Sequence, residues 1–247
     1  IEVQNPNRED CVNIIKHYLS SKNVSTDKIL LKWWTTVLVQ TLNQFWISIN
    51  AASHRKDKIE MNDIVDAILR QEYESPDDCT VLTDEEARKI AIHEAGHLVI
   101  CETLQPGTAS IAFIRKSGRS NRGGFVRGSG KLKKNDYRIV ISLGGKAAYE
   151  LFYGEYADGC EDDIRRAYDA IRDDISKKGT CGLAMIDVSN RRFPETSESL
   201  NSRNESVVHV ELEKYIMKAR QILLMNKEFL DNVIEELILN ESLIPSD

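Results

Sequence analysis

A five-residue segment near the middle of the chain has the residue types and spacing of a metal site: His93-Glu94-Ala95-Gly96-His97. In a helix, residues i and i+4 lie one turn apart on the same face, so both imidazoles can bind one ion. Zinc binds histidine nitrogens at about 2.0–2.1 Å and lowers the pKa of a bound water towards about 7. Glu94 lies beside the histidines, where it can take a proton from that water and pass it to a leaving amine. The pattern therefore predicts zinc-dependent hydrolysis, with His93 and His97 as ligands and Glu94 as the acid–base residue.

A catalytic zinc ion needs a third protein ligand and an open fourth position. The remaining histidines have flanks typical of an ordinary helix surface and are poor candidates: His17, His54 and His209. A cluster of acidic residues is a better source of the ligand: Asp158, Glu161, Asp162 and Asp163. Acidic residues also favour the first turn of a helix, where they offset the helix dipole, and this explains some of the four. Spacing alone does not choose among them.

Apolar periodicity predicts a mainly α-helical chain with a small β-hairpin. Thr83 and Glu86 form a capping-box pattern that starts a helix ending at about Leu104, so the histidine motif lies inside this helix. The hairpin strands are predicted at residues 110–114 and 124–127, around a glycine-rich turn. The other predicted elements are helices at about 135–153 and 161–178, a long final helix at about 205–240 with room for a kink, and a mobile loop at 187–206.

The chain is predicted to contain two domains. Residues 1–75 have helical periodicity, and the polar segment 74–78, which contains Pro76, is the best boundary. The predicted domains are residues 1–76 and 80–247. Residues 33–53 carry no formal charge but include eight polar side chains, which favours a buried amphipathic helix over a membrane span. Because the first residue is Ile1, we expect the chain to be a fragment or a processed product.

Composition excludes some functions and indicates a compartment. The formal net charge is −6, which makes the chain a poor candidate for a dedicated nucleic-acid-binding protein. The chain contains five cysteines, which is an odd number, and no two of them form a C-x-x-C pair. This cysteine usage predicts free thiols in a reducing compartment.

Three segments resemble the FtsH family of AAA+ zinc metalloproteases. Residues 93–97 are identical to the family's zinc helix, and Gly144–Gly154 resembles its next landmark, a Gly-Gly followed by small residues, Glu and an aromatic-Gly pair. Residues 159–164 resemble the family segment in which an Asp before a hydrophobic residue is the third zinc ligand. The resemblance therefore implies that Asp163 is the third ligand. Asp162 stands where the family usually has Asn, which adds negative charge next to the metal.

The resemblance covers nearly the whole chain and implies its architecture. Residues 1–76 resemble the small helical lid subdomain of an AAA+ ATPase, and residues 80–247 resemble the zinc peptidase domain. The sequence contains no G-x-x-x-x-G-K-[ST] segment, so we expect ATP only in an ATPase subdomain outside this sequence. Residues 34–38 lack the Gly and Asp of the family's nucleotide-facing lid segment, which weakens the case for nucleotide sensing by this lid.

The resemblance also implies a function, partners and a location. In the family, the second hairpin strand is an edge strand beside the zinc cleft, which implies peptide binding by Gly124, Phe125 and Val126. The implied function is the zinc endopeptidase half of an ATP-dependent protease that hydrolyses unfolded or misfolded proteins. We expect one Zn²⁺ per chain, a homo-hexamer and no nucleic-acid partner. We also expect membrane association through a segment absent from this sequence, with this part in the cytoplasm or in an organelle matrix or stroma.

Two other functions are compatible with parts of the sequence. An AAA-associated chaperone or assembly factor could keep the peptidase domain as an inactive structural element. The complete set of four chemical residues argues against this, because loss of catalysis usually relaxes such sites. A zinc hydrolase acting on a small molecule is the other alternative, and the lid and edge-strand segments argue against it.

Overall fold

In the computed structural model, the described residues are 13, 16–17, 79–80, 82–114, 116–117, 123–128, 132, 134–154, 159–180 and 198–243. These residues are mainly α-helical, which confirms the predicted fold class. The chain divides into two compact units, and the second comprises residues 82–114, 124–127 and 131–247. The predicted lid helices and the boundary at 74–78 lie outside the described residues, apart from Asn13, Lys16 and His17, which are helical.

The described part of the chain contains six helices and five strands. The helices are α1 (Asp84–Leu104), α2 (Asn135–Ser142), α3 (Gly144–Tyr153), α4 (Glu161–Lys178), α5 (Glu198–Met225) and α6 (Lys227–Asn240). The strands are β1 (Cys79–Thr80), β2 (Ala109–Ile114), β3 (Lys116–Ser117), β4 (Gly124–Gly128) and β5 (Ser242–Leu243). The bounds of α1, α4, β2 and β4 agree with the predictions to within one residue. None of the described helices is both long and apolar enough to cross a membrane.

The start of α1 is fixed by the predicted capping box. Thr83 Oγ1 accepts a hydrogen bond from the Glu86 backbone N–H at 3.3 Å, and Glu86 Oε2 accepts one from the Thr83 N–H at 3.0 Å. Two of the amide groups that a helix leaves unpaired at its start are thereby satisfied. The central turns of α1 are buried and pack against α3, α6 and β2. The capped end and the buried centre hold the histidine motif in a rigid element.

The prediction of one helix at 135–153 is wrong, because the chain forms α2 and α3 with a break at Leu143. Glycine is a weak helix former, so the pair after Leu143 is a favourable place for the break. The first glycine also has a packing role. A Cβ on Gly144 would lie 2.6 Å from the carbonyl oxygen of Gly96 in α1, so the two backbones meet where neither residue has a side chain. Gly154 then ends α3 with a φ of 69°.

The C-terminal helices differ from the prediction at two points. The predicted loop at 187–206 is wrong for residues 198–206, which are the first turns of α5, while residues 187–197 lie outside the described residues. Serine, asparagine and glutamate are typical of loops but also of an exposed helix surface, and this ambiguity misled the prediction. The predicted helix at 205–240 is two helices, separated at Asn226. The Asn226 side-chain amide donates to the Ile222 carbonyl at 2.8 Å, and the Asn226 backbone N–H donates to the same carbonyl at 3.1 Å.

β2 is the central strand of a three-stranded sheet with the order β4-β2-β5. β4 is hydrogen-bonded to β2, as the predicted hairpin requires, and Phe125 stacks on Phe113 with ring centroids 5.9 Å apart. β5 pairs antiparallel with β2, placing Ala112 opposite Leu243. The sequence did not predict β5, because two residues after a helix carry no alternating pattern. In the other compact unit, β1 and β3 form an antiparallel pair.

Candidate metal centre

Three side-chain atoms from α1 and α4 converge on one point. The Nε2 atoms of His93 and His97 are 3.0 Å apart, and Asp163 Oδ2 lies 3.1 Å from each of them. The two imidazole rings meet edge to face, with centroids 4.7 Å apart. Within the described residues, these three side chains form a group that could hold a metal ion. The fold therefore brings together His93, His97 and Asp163, although up to 70 positions separate them in the sequence.

Asp163 reaches the histidines from the first turn of α4, and the other acidic candidates do not converge there. Glu161 and Asp162 are exposed, and Asp158 lies outside the described residues. The Asp162 carboxylate pairs with Arg165 at 2.8 Å, so a cation partly balances its charge. Among the other histidines, His17 and His209 are exposed, and His54 lies outside the described residues.

Backbone and side-chain groups behind the converging atoms fix their orientation. His97 Nδ1 lies 2.7 Å from the carbonyl oxygen of Ile141, in the last turn of α2. An N–H at Nδ1 donates to this carbonyl and leaves the lone pair of Nε2 directed at Asp163. The second oxygen of Asp163, Oδ1, accepts a hydrogen bond from Arg166 at 3.4 Å. One oxygen of the carboxylate is therefore held by the arginine while the other faces the histidines.

His93 has different surroundings. Its Nδ1 lies 3.7 Å from the Sγ atom of Cys160, which is buried directly before α4. Burial raises the pKa of the Cys160 thiol to about 11, so the sulfur is a neutral thiol at neutral pH. Cys160 and Cys101 are both free, in agreement with the prediction from cysteine usage for these two residues. The His93 ring also lies against Gly145, where a Cβ would lie 2.5 Å from Nδ1 and 2.6 Å from Nε2.

Glu94 is buried beside the converging atoms, with 6% of its surface exposed. The first residue of β4 lies directly against it. A Cβ on Gly124 would come within 2.8 Å of Glu94 Cγ and 2.9 Å of Oε1. Phe125 stacks on Phe113, and Val126 packs against the hydrophobic core. Of the three strand residues proposed from the resemblance, Gly124 is therefore the one that contacts the carboxylate.

The electrostatics of the site favour a bound cation. For His97, burial lowers the pKa, but the hydrogen bond and charge of Asp163 outweigh it and raise the pKa to about 9. For Asp163, burial raises the pKa. The hydrogen bonds to His93 and His97 outweigh burial and hold the pKa of Asp163 well below its ordinary value. Burial raises the pKa of Glu94, although the charges of His93 and His97 oppose this shift. A proton thus binds firmly at the place where the three atoms meet.

The donor set fits zinc. Two imidazoles and one carboxylate are a donor set of catalytic zinc sites, which keep a fourth position open. Ligands at 2.0–2.1 Å from a tetrahedral ion are about 3.3 Å apart. The separations of 3.0–3.1 Å observed here need only a small expansion to reach that value. The outer hydrogen bond from His97 to Ile141 is typical of metal-binding histidines.

Comparison with known proteins leads to the same class of site. The model of peptidase family M41 matches residues 80–247, which include all four residues of the site. The chain belongs to peptidase family M41. Membership of M41 confirms the resemblance to FtsH-type zinc metalloproteases and makes this domain a metalloprotease domain.

The curated relatives carry FtsH names. The ATP-dependent zinc metalloprotease FtsH 2 of Symbiobacterium thermophilum is 29% identical over 222 residues, which cover 85% of this chain and 37% of that protein. The ATP-dependent zinc metalloprotease FtsH of Mycoplasma genitalium is 25% identical over 270 residues, covering 100% of this chain and 38% of that protein. The chain therefore spans less than two fifths of the length of these relatives.

Sequence reasoning missed three groups that lie against the two histidines: the Ile141 carbonyl, Gly145 and Cys160. The Ile141 carbonyl is a backbone group and leaves no side-chain signal. Gly145 entered the prediction only within the segment Gly144–Gly154, and Cys160 only within residues 159–164 and through cysteine usage. The position of Cys160 three residues before Asp163 was the available signal, because both belong to the start of α4.

Proposed function

We propose that this chain is the zinc-dependent endopeptidase part of an ATP-dependent protease and that it hydrolyses peptide bonds in unfolded or misfolded proteins. The observation that carries the proposal is the convergence of His93 Nε2, His97 Nε2 and Asp163 Oδ2 beside the buried carboxylate of Glu94. Membership of family M41 supports the same reaction class.

His93, His97 and Asp163 would hold the ion. When bound, zinc supplies Lewis-acid chemistry that polarises the scissile carbonyl and activates a water for attack. Glu94 takes the proton from the attacking water and delivers it to the leaving amine. Burial raises the pKa of Glu94, which brings its proton affinity closer to that needed for transfer near neutral pH.

The edge strand supports a polypeptide substrate. β4 lies at an edge of the sheet, and its first residue touches Glu94. An extended peptide that adds to an edge strand is bound through its backbone, with little dependence on its side chains. Such a peptide along β4 would pass the carboxylate. A site of this kind suits a protease for unfolded chains better than a hydrolase for small molecules.

The wider assembly is proposed from the resemblance and the relatives' names. The curated relatives are named ATP-dependent zinc metalloproteases, and this chain spans only part of their length. We propose residues 1–76 as an AAA+ lid subdomain, residues 80–247 as the peptidase domain, and a homo-hexamer as the working form. ATP would bind in an ATPase subdomain outside this sequence. We propose that a segment outside this sequence attaches the protein to a membrane.

The test measures zinc content and cleavage of an unstructured fluorogenic polypeptide by the same preparations. A substrate without structure removes the need for ATP-driven unfolding. We expect one zinc per chain in both the wild type and Glu94→Gln, with cleavage only in the wild type. Glu85→Gln is the matched control, because Glu85 lies on the same helix, is exposed and pairs with Lys89. Zinc-loaded wild type without cleavage would contradict the proposal and favour the chaperone or assembly-factor function.

A further inference from the structure

The two histidines of the site are oriented by different groups. His97 has a backbone carbonyl behind its Nδ1 atom, at 2.7 Å. His93 has the sulfur of Cys160 in the corresponding place, at 3.7 Å from Nδ1. With the Nε2 lone pair of His93 directed at the point where Asp163 Oδ2 and His97 Nε2 meet, the ring proton is on Nδ1. That proton is then donated to the sulfur.

The position of this sulfur is fixed by the same helix that carries the third converging residue. Cys160 lies immediately before α4 and has 3% of its surface exposed, and Asp163 lies in the first turn of that helix. Any movement of the start of α4 would move both residues together. The contact from Cys160 to His93 therefore ties the orientation of one imidazole to the position of the carboxylate opposite it.

The His93 ring is confined on another side by α3. A Cβ added to Gly145 would lie 2.5 Å from Nδ1 and 2.6 Å from Nε2, well inside ordinary contact distance. Gly145 is not among the described glycines with positive φ, so backbone conformation does not require glycine at this position. The requirement is space, because the ring occupies the volume that a side chain would fill.

We propose that Gly145 and Cys160 form a positioning slot for the His93 imidazole and thereby set the zinc affinity of the site. Gly145 provides the space for the ring, and Cys160 accepts the hydrogen bond from Nδ1. Neither residue is among the three that would hold the ion, and both act through His93. This inference rests on the proposed function, because it requires the three converging residues to bind zinc.

The test uses the full chain and measures zinc affinity by competition with a chromophoric chelator. The visible spectrum of the Co²⁺-substituted protein reports the coordination geometry. Loss of an outer hydrogen-bond partner of a metal-binding histidine typically costs 10–100-fold in metal affinity. We expect Cys160→Ala to weaken zinc binding by about tenfold and to alter the Co²⁺ spectrum. Cys160→Ser should remain within about threefold of the wild type, because the hydroxyl oxygen can also accept the hydrogen bond.

Cys101→Ala is the matched control, because Cys101 is also a buried, free cysteine but contacts Thr108 instead of His93. It should lose thermal stability to an extent similar to Cys160→Ala while keeping the zinc affinity of the wild type. We expect Gly145→Ala to weaken zinc binding at least as much as Cys160→Ala, since the added methyl group displaces the ring.

Three results would contradict the proposal that Gly145 and Cys160 position His93. The first is a Cys160→Ala zinc affinity within twofold of the wild type with an unchanged Co²⁺ spectrum. The second is a tenfold loss in Cys160→Ser, which would remove the role of the hydrogen bond. The third is unaltered zinc affinity in a folded Gly145→Ala variant. A wild-type chain that binds no zinc would instead contradict the proposed function, so the two failures are distinguishable.

Discussion

Gly96 lies between the two histidines of the motif, yet its structural role is to let α1 and α3 touch. In Gly96→Ala, the new Cβ would lie 2.7 Å from both Ala148 Cβ and the carbonyl carbon of Gly144, and closer still to the Gly144 oxygen. Ordinary contact begins at 3.4 Å, so relieving the contact with the Gly144 oxygen requires the helices to separate by about 1.1 Å. Overpacking costs about 1–3 kcal/mol, and the upper end applies here because the atoms met include backbone.

An opposing effect comes from helix propensity. Alanine in a helix interior is favoured over glycine by about 1 kcal/mol, so the net loss for Gly96→Ala is about 2 kcal/mol. For a domain of this size, that corresponds to a fall of roughly 4–8 °C in the unfolding temperature. Zinc affinity should fall as well, because moving α3 away also moves Gly145 from the His93 ring.

The assay is thermal unfolding followed by far-UV circular dichroism, with urea unfolding to obtain the free energy of unfolding. Gly154→Ala is the control, because a Cβ there meets no atom within 4 Å and the φ of 69° imposes only local strain. It should cost about 1–2 kcal/mol and leave zinc affinity unchanged. A Gly96→Ala protein as stable as the wild type, or more stable, would refute the packing argument, since helix propensity alone predicts a gain.

Three further predictions follow from the site and its supports. Asp163→Asn should weaken zinc binding by at least about 100-fold, whereas the neighbouring Asp162→Asn should leave it unchanged. Chelator competition measures both affinities, and equal values for the two variants would contradict the assignment of Asp163 as a ligand. Glu150→Gln should cost about 3 kcal/mol at pH 7, because Glu150 pairs with the buried Lys146. Burial raises the pKa of Glu150, but Lys146 and Arg220 outweigh it and lower the pKa, so this stability is present above about pH 4.5 and is lost as the pH falls through the folded pKa. Urea unfolding should therefore show that the free energies of unfolding of the wild type and Glu150→Gln differ at pH 7 and converge in acid. The same difference at both pH values would exclude the ion pair as its source. Gly124→Ala should lower kcat by about tenfold with zinc content unchanged, because the added methyl group would clash with the Phe113 carbonyl oxygen and the Glu94 carboxylate. An unchanged kcat would contradict a role of β4 in catalysis.

Local patterns predicted the elements that carry the site, because the controlling interactions are short in sequence. The capping box at Thr83 and the i, i+4 spacing of the histidines each lie within one or two helical turns. Asp163 could not be chosen from spacing, since its approach to α1 depends on packing across 66–70 positions of sequence. Family resemblance supplied that residue.

The break at Leu143 was missed because it depends on tertiary contact. Residues 135–153 are compatible with one continuous helix, and the break follows from the close approach of Gly144 to Gly96 on α1. The Ile141 carbonyl that contacts His97 lies at the end of α2 created by this break. The sequence shows the glycine pair, but a one-dimensional pattern contains neither the contact with α1 nor the exposed carbonyl.

The long separation of the converging residues has a thermodynamic consequence. An ion held by His93 and Asp163 would be a cross-link that closes a loop of 70 residues. Only the folded chain offers all three ligands, so stability should rise with the logarithm of the free zinc concentration once that exceeds the dissociation constant. The unfolding temperature of this chain would then depend on the zinc supply of its surroundings, and zinc limitation would shorten the lifetime of the folded protein.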